Sequence, residues 1–232
     1  MARLPRLCVS GVPQHIIQRG INRQVCFGSE QDLAAYANWL CEISQKHEVA
    51  IHAWVFMTNH VHLLVTPTTS EGVSKMMQDL GRYYVRYFNF TYQRTGTLWE
   101  GRFKSCAVEA EDYLLQCYRY IELNPVRAGM VESPSEYKWS SYSVNALGKE
   151  TKLCTPHDLY DALGDNVKQR ASSYRELFKG HVDSEFISQI RIATNKGMAI
   201  GSNHFKDQIE ELSGRRVRSF KRGPKPKTET DE

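Results

Sequence analysis

No stretch of the 232-residue chain approaches the run of about 18 apolar residues that a membrane-spanning helix needs. The first residues, M-A-R-L-P-R-L-C-V, are basic but lack a long apolar segment and a clear cleavage site, so no signal peptide is expected. Cysteine is scarce and scattered. The six residues Cys8, Cys26, Cys41, Cys106, Cys117 and Cys154 form no C-x-x-C and no zinc-finger spacing. That excludes a disulfide framework or a structural zinc module and predicts reduced thiols in a cytoplasmic protein. A strong charge of one sign is also lacking. A net charge of +4 is too mild by itself to announce a polyanionic partner. No internal repeat is present. What the chain does have is a 41% hydrophobic and 11% aromatic content, enough to build a core.

The first part alternates strand-like and helix-like patterns. His15–Gln18 reads as a strand that ends at the turn-prone Gly20 and Asn22. A helix from Glu30 to His47 follows, with Ser29 as N-cap and Leu33, Tyr36, Leu40 and Ile43 at helical spacing. Val49–Met57 and His60–Val65 form two strands joined by the turn Thr58–Asn59. A long helix from Glu71 to Tyr92 carries Val73, Met76, Met77, Leu80, Tyr84, Tyr87 and Phe88 as its apolar stripe. Phe103–Ala110 is a fourth strand. A helix from Glu111 is expected to stop at Asn124, because Pro125 biases the preceding residue away from helical geometry. The order β-α-β-β-α-β plus a helix is the α+β, ferredoxin-like split-βαβ pattern with an antiparallel sheet. After Gly148 the texture changes to helical segments without convincing strands. The expected organisation is a first domain over 1–148, a helical region over 149–214 and a basic tail over 215–232.

Within the strand T-N-H-V-H-L-L-V, alternation puts His60 and His62 on one face and Val61, Leu63 and Val65 on the other. Two imidazoles side by side can hold a divalent cation; they can equally be satisfied structural histidines. The helix E-D-Y-L-L-Q-C-Y-R-Y-I-E-L-N-P supplies what such a pair would need. Tyr120 and Asn124 are four residues apart and share a face. An asparagine carbonyl is a hard oxygen donor, and a phenol is a candidate nucleophile. The bland alternatives are that Asn124 stops the helix and that Tyr120 packs like most of the 12 tyrosines. Tyr118 is turned about 200° from Tyr120 onto a stripe with Leu114 and Ile121, and Tyr113 lies two turns away without a partner placed like Asn124.

Five segments in order resemble one family. Q-R-G-I-N-R (18–23), W-V-F-M-T-N-H-V-H-L-L-V (54–65), G-T-L-W-E-G-R-F-K-S (96–105), Y-I-E-L-N-P-V-R-A-G-M-V (120–131) and W-S-S-Y (139–142) are similar to those of the REP-associated tyrosine transposases of bacteria. These belong to the single-strand-specific His-hydrophobic-His (HUH) transposases and endonucleases. The resemblance covers about residues 10–145. It implies that His60 and His62 bind a divalent metal, Mg²⁺ or Mn²⁺, that Asn124 is the third ligand and that Tyr120 is the nucleophile. Two nitrogen ligands suit Mn²⁺ better, whereas cellular supply favours Mg²⁺. The implied reaction is cleavage and transfer of single-stranded DNA at repetitive extragenic palindrome hairpins through a 5′-phosphotyrosine, near the nucleoid. A domesticated relative that binds hairpins without cutting is the second reading.

A DNA strand needs positive charge and stacking surface. Arg82 and Arg86 on the long helix and Arg94 just beyond it, with Arg102, Lys104 and Arg127, are the candidate phosphate contacts. Gln14, Arg19, Asn22 and Arg23 near the first strand are candidate base readers. R-R-V-R-S-F-K-R-G-P-K-P-K at 215–227 contains seven Lys or Arg and no acid. It reads as a solvated tail or as a phosphate-binding arm through Arg215, Arg216, Arg218, Lys221 and Arg222. The expected assembly is a monomer or a homodimer. An RNA-binding ferredoxin-like domain is disfavoured, since the aromatic central-strand signature for stacking is missing.

Overall fold

The computed structural model describes residues 6–180 and 182–218. Strand β1 (Gln14–Arg19) leads through a three-residue turn (Ile21–Arg23) to helix α1 (Glu30–Lys46). Then come β2 (Val49–Met57), β3 (His60–Pro67), α2 (Gly72–Thr91), β4 (Lys104–Val108) and α3 (Ala110–Glu122). The remaining elements are the single turns α4 (Asn124–Arg127), α5 (Tyr142–Asn145) and α6 (Asp158–Asp161), then α7 (Val167–Glu176), α8 (Ser184–Lys196), β5 (Ala199–Ile200) and α9 (Asn203–Ser213). The sheet runs β2-β3-β1-β4-β5, with the first four strands antiparallel as expected for a split-βαβ fold. No helix among the described residues is long and apolar enough to cross a membrane, and the six cysteines are free.

Each sheet face buries its own apolar layer. On one side Val61, Leu63, Val65, Phe56 and Ile16 meet the stripes of α1 and α2, with Tyr36, Tyr84 and Trp99 at the centre. Full burial of such side chains contributes about 1.5–3 kcal/mol each. Asp32 ties these two helices together. It closes a capping box with Ser29 and accepts from the hydroxyls of Tyr87 at 2.9 Å and Tyr92 at 2.7 Å. On the other side Val55, Leu64 and Cys106 meet α3 and α8.

Three local expectations change. Pro125 does not end a helix at Asn124. α3 stops at Glu122, and Pro125 opens a fresh turn, α4, where its missing N–H costs nothing. The C-terminal region does contain a strand: β5 pairs parallel with β4. At two residues between Gly197 and Gly201, it is too short to show alternation. Gln14 cannot read a base, because it is buried at 1% exposure beneath the sheet's neighbours.

The chain also covers part of both edges of its own four-stranded antiparallel sheet. β5 covers β4, with Ala107 N donating to Met198 O and Glu109 N to Ile200 O. W-S-S-Y covers β2: Phe56 N donates to Trp139 O at 3.0 Å and Ser141 N to Trp54 O at 2.9 Å. Thr155 N adds a 2.7 Å bond to Ile51 O.

Candidate active site

Register assembles the site. Ile17 of β1 faces His62 of β3 and Lys104 of β4, and Arg19 faces His60. By alternation His15, Ile17, Arg19, His60, His62 and Lys104 share the face that α3 and α8 cover. A cleft of about 480 Å³ opens there, lined by His60, His62, Tyr120, Asn124 and Arg127 among others.

The two motif histidines are held by different partners. The Asn59 amide donates to Arg23 O at 3.0 Å, so its Oδ1 is left to accept from His60 Nδ1 at 2.6 Å. That makes Nδ1 the protonated nitrogen of His60 and Nε2 its lone-pair nitrogen. His62 commits Nδ1 to His15 Nε2 at 2.8 Å, and His15 Nδ1 meets Thr194 Oγ1 at 2.8 Å. All three rings are neutral at pH 7. Burial lowers His15 to about 3, with help from the Arg127 charge, and lowers His60 to about 4, with help from Arg19. Burial also holds His62 well below the usual range, reinforced by His15, His60, Arg127 and Arg19.

Tyr120 lies over these rings. Its centroid is 5.6 Å from His15 and 5.8 Å from His62, edge-on to both. Burial raises its pKa, while a hydrogen bond from Arg191 and the charges of Arg127 and Arg191 pull it back down. The Arg127 guanidinium sits 4.5 Å from the Tyr120 ring centroid and donates to Tyr120 O at 2.6 Å. Its Nε and Nη1 are buried without a protein partner. Burial lowers Arg127 to about 10, so it stays charged at neutral pH. Asn124 folds back to donate from Nδ2 to Tyr120 O at 3.0 Å and Ile121 O at 3.2 Å. Because carbonyls only accept, Oδ1 is the free atom of that amide. Tyr118, by contrast, is fully buried against Tyr160 and Tyr174.

The donor set fits a divalent cation: neutral imidazoles, one with Nε2 shown free, and an uncommitted amide oxygen. Among the described residues no three His, Cys, Asp or Glu come close enough to form a closed metal cluster. Asn124 Oδ1 is an oxygen that could join the two imidazoles around an ion and leave positions for water or phosphate oxygen.

The expected DNA contacts divide sharply. Arg19, Arg23, Arg102, Lys104 and Arg127 line the cleft with one carboxylate, Glu100. Arg23 gets there through a left-handed backbone (φ 58°) in the turn after Gly20, whose Cβ position lies 2.3 Å from Gln24 O and so admits no side chain. Asn22, in the same turn, is exposed outside the cleft lining. Arg82 and Arg86 are on α2, across the sheet from the cleft; Arg82 pairs with Asp79 at 3.7 Å, and Arg94 lies 5.5 Å from the Phe88 ring centroid. Arg215 donates to Gly197 O at 2.7 Å, and Arg218 is paired with Asp207 at 2.7 Å and Glu210 at 3.1 Å. Those two positions serve the fold. Arg216 is exposed beyond α9, and Lys221 and Arg222 lie outside the described residues.

Sequence reasoning missed His15, Arg191 and Thr194. His15 shares strand parity with Ile17 and Arg19, and a polar ring in the apolar Q-H-I-I was the available signal. Arg191 and Thr194 sit three apart on α8, far along the chain, and only tertiary packing brings them to the cleft.

Comparison with known proteins places the chain in a family and matches its fold. The family model described as "Transposase IS200 like" matches residues 8–124, just over half of the chain. A solved REP-associated tyrosine transposase bound to a REP hairpin has the same fold. It aligns with a TM-score of 0.54 and 18% identity over 68% of this chain and 93% of that one. A putative transposase from Deinococcus radiodurans R1 aligns with a TM-score of 0.37 and 22% identity over 52% of this chain and 96% of that one. No curated protein matches the chain. The family match runs from Cys8 through Asn124, taking in β1, the His60–His62 strand and the Tyr120 helix, and the chain belongs to the IS200-like family of transposases.

Proposed function

We propose that the protein cleaves and rejoins single-stranded DNA at hairpin-forming repeats of the REP type, with Tyr120 as nucleophile and His60, His62 and Asn124 as holders of Mg²⁺ or Mn²⁺. The observation that carries this reading is the placement of Tyr120 over His62 at 5.8 Å, in the cleft that also receives Asn124 and the cations of β1 and β4. The ion, when bound, would neutralise and polarise the scissile phosphate.

The chain's own residues do the rest. The Tyr120 oxygen attacks phosphorus, the bond from phosphorus to the 3′-oxygen breaks, and the phosphate is left on the tyrosine as a 5′-phosphotyrosine. The phenol gives up its proton and the departing oxygen ends as a 3′-hydroxyl, so the proton count balances. Arg191 at the phenol offsets negative charge that builds there, and the unpartnered nitrogens of Arg127 can meet a phosphate oxygen. Because the phosphodiester energy is kept in the covalent link, another 3′-hydroxyl can reverse the step and join strands. We read residues 1–148 as the catalytic domain and 149–214 as a helical region whose α8 reaches the cleft. We read 215–232 as a basic segment whose Arg215 and Arg218 are tied back to the fold.

The test is a denaturing gel of the protein with a 3′-labelled repeat hairpin and Mg²⁺ or Mn²⁺. Wild type gives a covalent protein–DNA band and Tyr120→Phe gives none. A band that survives Tyr120→Phe refutes the nucleophile assignment. Hairpin binding with no band from wild type makes the protein a non-cleaving binder.

A further inference from the structure

We propose that Thr194 of α8 and His15 of β1 form a proton-ordering relay that holds His62 in the one tautomer able to ligate a metal. This rests on the metal reading above. Thr194 has a single hydroxyl proton, and its Oγ1 donates to Ile190 O at 2.7 Å, one turn back in α8. A carbonyl only accepts, so that proton is committed. Oγ1 must then accept from its other neighbours, and His15 Nδ1 at 2.8 Å carries the N–H. In a neutral His15 this leaves Nε2 as the lone pair. The 2.8 Å bond between the rings therefore runs from His62 Nδ1–H to His15 Nε2. His62 Nε2 is left unprotonated. The Asn59 carbonyl imposes the same state on His60, so both motif histidines present Nε2 as a base.

The relay is bistable as a unit. Without an acceptor at position 194, a proton on His15 Nδ1 would be buried and unpaired, which costs about 1–3 kcal/mol. His15 then places its proton on Nε2 and donates to His62 Nδ1, and His62 becomes protonated at Nε2, where it cannot ligate. α8 lies outside the family-matched residues 8–124. Thr194 thus sets the proton state of a residue in the His60–His62 strand, acting through His15 as a positioning residue.

Imidazole ¹⁵N NMR of the metal-free full chain reads the tautomer directly. Wild type shows His62 protonated at Nδ1; Thr194→Val shifts it to Nε2, and Thr194→Ser restores Nδ1. Mn²⁺ binding by EPR titration follows, with the dissociation constant about 10–100-fold weaker in Thr194→Val and near wild type in Thr194→Ser. His62 protonated at Nε2 in wild type overturns the relay and requires no variant. So does a Thr194→Val protein that keeps both tautomer and affinity. Wild type that binds no Mn²⁺, with His60→Ala indistinguishable from it, overturns the metal reading instead, and the NMR result still decides the relay.

Discussion

Replacing Glu122 with glutamine probes the packing behind Tyr120. Glu122 sits two residues after the tyrosine, fully buried, and accepts from Ser141 Oγ at 2.6 Å, Asn145 Nδ2 at 2.8 Å and the Tyr174 hydroxyl at 2.8 Å. It thereby joins α3 to the W-S-S-Y edge and to α7. Burial outweighs the three donors and raises the carboxyl from 4.5 to about 7. Between those pH values the folded chain holds a proton that the unfolded chain has released. Stability is therefore full below pH 4.5 and falls as pH rises through 7, by about 1.4 kcal/mol per pH unit and about 3 kcal/mol in all. Glutamine mimics the protonated acid and removes this slope. Urea unfolding followed by tryptophan fluorescence at pH 5, 6, 7 and 8 gives the difference between the two proteins. The buried histidines destabilise both equally on acidification and cancel. Glu122→Gln is the more stable by about 1 kcal/mol at pH 5 and by about 3 kcal/mol at pH 8, relative to a match below pH 4.5. A difference that does not change with pH, or a wild type that gains on its variant as pH rises, refutes the reasoning.

Arg127→Ala removes the guanidinium stacked on Tyr120 and lowers adduct formation by about 10²-fold in a single-turnover assay. Arg127→Lys restores only part, because the planar fork is lost. Arg102→Ala weakens binding of a single-stranded oligonucleotide and reduces the slope of log affinity against log salt by about 0.7 in fluorescence anisotropy; Arg82→Ala leaves that slope unchanged. Light scattering gives the monomer mass of 26.7 kDa, because β5 and W-S-S-Y already cover part of each edge of the antiparallel sheet and shorten what a second copy could add a strand to.

The strands and helices through α3 were legible because their periodicities were long and unmixed. Strand parity alone put His60 and His62 on one face, and the stripe Val73 to Phe88 appears as the buried face of α2. The cleft was legible only in part. Arg19, Arg23, Arg102 and Lys104 reach it because β1 and β4 flank each other in the sheet, a pairing no local pattern encodes. Arg82 and Arg86 share composition with those residues but not topology, and α2 carries them to the other face. Arg218 looked like part of a free basic run, yet its acidic partners Asp207 and Glu210 lie on α9, close in sequence but visible as partners only once the chain turns back at Gly214. Thr194 carried no signal, since an isolated threonine in a helix is ordinary until its neighbours are known.

The position of α3 bears on how one chain could complete the reaction alone. Tyr120 meets His15 and His62 of its own sheet, and the helix that carries it is held by Glu122 to α5 and α7 and by Arg191 to α8. Swinging that helix to a partner would strand a buried carboxylate from three donors, at a cost of several kcal/mol. It would also separate Arg191 of α8 from the phenol it hydrogen-bonds. The added C-terminal helices and the partly covered edges thus act in the same direction. They hold Tyr120, the histidine pair and the cationic cleft together within one subunit.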